Sequence, residues 1–186
     1  MEIAPIASRR LSLVALDAET LAKMAQGERS PRFRWPAWWP DAVDRQHLAL
    51  WRRRMVEAGS SDWGPRAVVN ESTVVGHAGF HLPPQPLGAA LADPTFDGEC
   101  DDPSRSAVEV GYTIFPEYRR RGFATEALTA LVVWAWTASD VCSILATVAE
   151  GNSASVGVLE RVGDFRIIGT CRTGDSSREL VYRLDR

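Results

Sequence analysis

Residues 108–128, Val-Glu-Val-Gly-Tyr-Thr-Ile-Phe-Pro-Glu-Tyr-Arg-Arg-Arg-Gly-Phe-Ala-Thr-Glu-Ala-Leu, read as a strand, a short basic turn and the start of a helix, and no other stretch constrains the fold so tightly. Val108 to Phe115 is rich in β-branched and aromatic residues, and Pro116, with no N–H to donate, stops the ladder. From Ala124 onward Leu128, Leu131, Val132 and Ala135 recur at i, i+3, i+4 and i+7, the stripe of a helix packed on a sheet. The helix therefore begins near Gly122. Its first N–H groups have no intrahelical partner and lie at the positive end of the macrodipole, and Gly122 and Ala124 leave little side chain in the way. A phosphate or pyrophosphate fits such a place.

The spacing narrows the choice of anion. No G-x-x-x-x-G-K-[ST] occurs in the chain, and no G-x-G-x-x-G follows a strand. Arg119-Arg-Arg-Gly-Phe-Ala124 instead fits R-x-x-G-x-A, placed between a strand and a long helix. Downstream, Ile144 to Val148 reads as a strand, and Ser153 to Val162 as a helix opened by Asn152 and closed by Gly163 as its C′ residue. Glu150, Asn152 and Ser155 give E-x-N-x-x-S across that junction. Together these segments resemble the GNAT superfamily of acyl-CoA-dependent N-acyltransferases over about residues 8 to 184, most densely over 108–165. Within it the chain is most similar to the Rim-type branch, the ribosomal-protein N-terminal acetyltransferases.

The resemblance implies an α/β (α+β) chain whose residues 1–186 form a single N-acetyltransferase domain. Its sheet would be mixed and mostly antiparallel, with helices on both faces and a V-shaped splay between the two central strands. The cofactor implied is acetyl-CoA. Its pyrophosphate would lie on backbone N–H groups around Arg121, Gly122, Phe123, Ala124 and Thr125, with Arg119 and Arg120 adding charge. Pantetheine amides would pair with the open edge at Thr113, Ile114 and Phe115, and an N–H near Ile114 would polarise the thioester carbonyl. Asn152 belongs to the cofactor segment and equally serves as a helix N-cap.

Direct attack needs a neutral amine, so a general base is required, and Glu109 on the cofactor strand is the leading candidate. Many relatives carry a tyrosine seven residues after the asparagine as the acid for the leaving sulfur; here Leu159 stands there, which leaves Ser155, one turn earlier, for that role. Thr147 occupies a place where some relatives have a basic glutamate. The acceptor is either a protein N-terminal amine or a small-molecule amine. A non-catalytic acyl-CoA-binding sensor or interaction module is the alternative, and a homodimer is compatible with either.

Elsewhere, Arg10 to Ala15 reads as a strand, Ala18 to Ala25 as a helix, Asp41 to Glu57 as a second helix, and Arg66 to Asn70 and Thr73 to His81 as a strand pair. Trp35, Trp38 and Trp39 are interleaved with Pro31, Pro36 and Pro40, which bars a continuous helix. By the resemblance they either line an acceptor pocket or cap the core. Residues 83–105 hold Asp93, Asp97, Glu99, Asp101 and Asp102 with several prolines and glycines, and read as an exposed acidic loop near the cleft. Such a loop either concentrates a cationic acceptor or is merely solvated.

The net charge of −3 argues against nucleic-acid binding, which needs a strongly basic face. Three scattered cysteines give no disulfide framework or zinc site, and His77 and His81 on one strand would stand about 13 Å apart, too far to share a metal. No metal is expected. With no cationic leader and no apolar run of membrane-spanning length, the sequence reads as a soluble cytoplasmic protein without a membrane partner.

Overall fold

The protein is described here by a computed structural model covering residues 3–59, 62–172 and 177–186. In chain order its elements are β1 (Ile6–Ala7), β2 (Leu11–Ala15), α1 (Ala18–Ala25), α2 (Ala42–Ala58), β3 (Pro65–Asn70), β4 (Thr73–Phe80), β5 (Gln85–Pro86) and α3 (Leu87–Ala90). Then come β6 (Asp97–Gly98), β7 (Ser106–Ile114), a 3-10 turn (Pro116–Tyr118), α4 (Phe123–Ala138), β8 (Ser143–Ala149), α5 (Ser153–Val162), β9 (Arg166–Arg172) and β10 (Arg178–Asp185). The sheet runs β1-β2-β3-β4-β7-β8-β10-β9-β6, with β5 paired to β7. The β7–β8 pair is parallel and the other ladders are antiparallel, so the mixed sheet with helices on both faces stands as expected.

Alternation along β7 decides what meets what. Val108, Val110 and Ile114 turn to the face covered by α4, where they pack with Leu128, Leu131, Val132 and Ala135. Leu159 of α5 is fully buried in the same cluster. The opposite face carries Phe115, which packs with Leu21 and Met24 of α1, Leu48 and Met55 of α2, and Trp39. Farther along that face, Ala107, Leu145 and Val181 are covered by Leu87 and Leu91. Among the described residues no helix is long and apolar enough to cross a membrane.

The stretch 83–105 keeps Asp93, Asp97, Glu99, Asp101 and Asp102 exposed, as the sequence reading has it, but is more ordered than a loop. It contains β5, α3 and β6, pairs with both β7 and β9, and lays Leu87, Leu91 and Phe96 over the sheet. Asp101 is not free to attract a ligand: its two oxygens lie 2.5 and 2.9 Å from the guanidinium of Arg183, a residue only 3% exposed in its side chain. That bond holds the Asp101 carboxyl well below the usual carboxylate range. Three apolar anchors spaced irregularly through acid and proline show no periodicity, which is why the stretch reads as a loop.

Candidate active site

The central feature is an opened strand junction. β7 pairs with β8 only from Ala107↔Ser143 to Glu109↔Leu145, yet it stays on β4 from Phe80↔Val110 to Gly76↔Ile114. His81 N–H donates to Glu109 O at 3.0 Å and Phe115 N–H to Val75 O at 2.9 Å, so the backbone groups of odd-numbered residues on β7 face β4. Those of Tyr112 and Ile114 therefore face the side from which β8 has diverged, and an extended ligand there meets a strand edge. Arg119 Nε donates to Ile114 O at 2.9 Å and so ties the basic turn to this edge.

The turn has the shape the sequence implies. Arg120 (φ +61°) and Gly122 (φ +77°) both adopt the left-handed conformation, and Gly122 caps α4 with no side chain bonded to the first turn. The opening N–H groups of α4 are thus available to an anion. Arg10 holds the loop from behind: its Nη2 donates to Arg121 O at 3.1 Å, its Nε to Glu126 Oε2 at 2.7 Å, and its guanidinium lies over Phe123 at 4.8 Å. Glu126 would otherwise place a negative charge beside the anion site. Burial would raise its carboxyl, but the bonds from Arg10 and Ser8 outweigh that and keep it ionised and paired.

A cleft of about 1110 Å³ joins these parts, lined by Tyr112, Thr113 and Ile114 of β7, Arg119, Arg120 and Gly122 to Thr125 of the turn and α4, and Asn152 to Ser155 of α5. Asn152 is the α5 N-cap, its side-chain oxygen accepting from Ser155 N–H at 3.1 Å, so the capping role stands and the side chain also borders the cleft. Gly163 ends α5 in extended rather than left-handed backbone, with Leu184 packed where a Cβ would go; packing, not positive φ, asks for glycine. Arg121 points elsewhere. Its guanidinium donates to Glu117 O at 3.3 Å and lies over Tyr118, so only its backbone borders the loop.

Phe115 and the tryptophans sit on the other face. Trp39 is 1% exposed and stacks on Trp35 at 4.5 Å, so these two build core. Trp38 is 44% exposed, donates from Nε1 to Glu117 Oε1 at 2.6 Å and packs edge-on against Phe115. Of the three it is the most exposed, Trp35 being half-buried.

Glu109 stands at the vertex of the splay, in the last residue pair before β8 departs. Thr147 Oγ1 donates to its Oε1 at 2.7 Å, so the glutamate reaches across from β7 to the threonine on β8. Its Oε2 lies 3.0 Å from Nδ1 of His81. Burial would raise the Glu109 carboxyl, but His81, Thr147 and the positive field of Arg54 together hold it below its ordinary value. His77, four residues before His81, packs edge-on against Trp51 and is pushed down to about 4 by burial and by His47, so it stands neutral. Tyr112 extends its hydroxyl to Ser155 O at 3.1 Å, and burial raises its phenol more than that bond lowers it.

Sequence reasoning did not place Tyr112 at the cleft or find the contact between His81 and Glu109. Tyr112 was legible by parity, two residues before Ile114 on the cleft side. The His81 contact was not, because its partner lies 28 residues along the chain, across the stretch 83–105.

A strand edge exposed by a parallel pair that parts after three residues, with a basic left-handed turn and two helix N-termini around it, defines a protein that takes an extended anionic ligand between strands. Residues 10–164 match the acetyltransferase (GNAT) domain family. The chain belongs to that family and is an acetyltransferase by class. Solved structures of the same fold include an acetyltransferase from Agrobacterium tumefaciens str. C58, 20% identical with TM-score 0.63, covering 100% of this chain and 96% of that one. RimL, a ribosomal L7/L12 alpha-N-protein acetyltransferase, is 17% identical with TM-score 0.64, covering 98% and 94%. The microcin C7 self immunity acetyltransferase MccE, in complex with acetyl-CoA and AMP, is 12% identical with TM-score 0.61, covering 97% and 94%. At such identities the likeness is one of fold. Among curated proteins none matches the chain.

Proposed function

We propose that the chain transfers an acetyl group from acetyl-CoA to a primary amine by direct attack, the acceptor being a protein N-terminal amine or a small molecule. The observation that carries this reading is the parting of β7 from β8 beside the R-x-x-G-x-A turn, family features that here enclose one continuous cleft.

The residues present fit the donor. Backbone N–H groups from Gly122 to Thr125, with Arg119 and Arg120, suit a pyrophosphate, and the free edge at Tyr112 and Ile114 suits the amides of pantetheine. When bound, acetyl-CoA supplies an activated acyl thioester. The Ile114 N–H, directed into the opening, stabilises negative charge on a carbonyl oxygen placed before it. Glu109 governs proton removal from the acceptor at the vertex. Ser155, with Tyr112 against its backbone, stands on the cleft side to return a proton to the departing sulfur. Trp38, the exposed ring of the aromatic segment, is assigned to the acceptor, where it would serve a peptide or a small amine equally. RimL acts on a protein α-amine, which makes such peptides the first acceptors to try. Three unpaired cysteines suit a reducing compartment, the cytoplasm.

Calorimetry with coenzyme A followed by a thiol-release screen over peptides, polyamines, aminoglycosides and amino acids tests the reading. Binding together with acceptor-dependent release of free thiol is expected. Binding with no release on any amine would make the chain an acyl-CoA-binding module, and no binding would overturn the assignment.

A further inference from the structure

The row His81–Glu109–Thr147 runs from the residue after β4 across β7 to β8 at the vertex of the splay. Both oxygens of Glu109 are engaged, one by the Thr147 hydroxyl at 2.7 Å and one by His81 Nδ1 at 3.0 Å. An imidazole that donates its Nδ1 proton to a carboxylate carries its lone pair on Nε2. That atom is placed over the backbone of Gly111, where a Cβ would come within 2.7 Å of it, and Gly111 is the second residue of β7 beyond the last β7–β8 pair. The side chains of His81 and Glu109 are 30% and 29% exposed, so an acceptor can reach them. The charged groups around the imidazole are Glu109 from β7 and Arg54 from α2, which borders a small cavity with His81. Glu109, held below its ordinary pKa, is by contrast a weak proton acceptor.

We propose that His81 Nε2 is the base that deprotonates the acceptor and that Glu109 is the residue that positions it. The inference rests on the acetyl-transfer reading and names the atom that does its first step. The Nε2 lone pair takes one proton from R–NH3+, leaving R–NH2 and an imidazolium paired with Glu109. The amine lone pair then forms the C–N bond to the acyl carbon while the C–S bond breaks and its electron pair leaves on sulfur. Ser155 gives its hydroxyl proton to the thiolate and is reprotonated by the surplus proton on nitrogen, and the imidazolium returns its proton to solvent. The chemistry selects a class of acceptor: amines that are ammonium ions at neutral pH need this base, and amines already neutral there do not.

The test compares wild type with His81→Ala and His81→Gln, two variants so that a folding failure of one leaves the other, each checked for coenzyme A affinity by calorimetry. With a strongly basic aliphatic amine, kcat/KM at pH 7 should fall about 100-fold, the scale of general-base catalysis. In the variants log kcat/KM should rise with unit slope over pH 6–9, following the free amine, and added imidazole should restore part of the rate to His81→Ala. A weakly basic amine should lose far less. Variants with the wild-type pH profile and the same loss on both amines would refute the assignment. Failure of the wild type to turn over any amine would instead strike the acetyl-transfer reading. Imidazole 15N spectra, which need no turnover, then decide the dyad: Nδ1 protonated and Nε2 bare in the wild type, and lost in Glu109→Gln, supports it, whereas a protonated Nε2 in the neutral ring overturns it.

Discussion

Replacing Thr147 by valine keeps the branched shape of the side chain and removes one of the two donors to Glu109. Hydrogen bonds to charged groups contribute about 1.5–3 kcal/mol. The Glu109 side chain is 29% exposed, so water replaces part of the lost bond and the lower end, about 1.5 kcal/mol, is expected at pH 7. For a chain of 186 residues that is a fall in Tm of about 3–6 °C. The pH dependence has a definite sign. Glu109 has a folded-state pKa below its unfolded one, so its contribution is present above the ordinary glutamate value and is lost as pH falls through the lowered folded value. The difference between wild type and Thr147→Val should therefore be full at pH 6–8 and shrink below about pH 4. Urea denaturation at several pH values reads it, and the cycle with Glu109→Gln should show a coupling of about 1 kcal/mol. A cost that grows toward acid pH, or that is the same in the Glu109→Gln background, would refute the reasoning.

Other consequences are as concrete. Gly122→Ala forces a side chain into the left-handed region at φ +77° and should cost about 1–2 kcal/mol in stability and raise the Kd for coenzyme A, as melting and calorimetry would read. Arg120→Ala should weaken coenzyme A binding and flatten its salt dependence, whereas Arg121→Ala, turned toward Tyr118, should leave both nearly unchanged. Trp39→Ala should lose about 3–5 kcal/mol because the ring is core, while Trp38→Ala should melt close to wild type and change acceptor KM instead.

What the sequence disclosed followed locality. The turn from Pro116 to Gly122, the α4 stripe through Leu128, Leu131 and Val132, and the Asn152 cap are each written within a few consecutive residues, and each stands where it was read. The aromatic segment stayed open because Trp35, Trp38 and Trp39 differ only in how later elements close over them: Phe115, 76 residues after Trp39, is what both Trp38 and Trp39 touch. The order in residues 83–105 was not legible because their ties are distant in sequence: Asp101 meets Arg183, 82 residues on, and Thr95 meets Arg172. His81 drew notice for its spacing to His77, although its ionic neighbour, Glu109, lies on β7. Register across β4 and β7 creates that pair, and no pattern along either strand encodes it.

The central claim is that an extended, doubly phosphorylated ligand enters where β7 leaves β8. Crystallography of the protein with coenzyme A tests it most directly. The account requires the pyrophosphate on the N–H groups of Gly122 to Thr125 and the pantetheine arm along Tyr112 and Ile114, its sulfur pointing toward Glu109. A ligand seated on another face, or one that leaves the edge of β7 untouched, would contradict it.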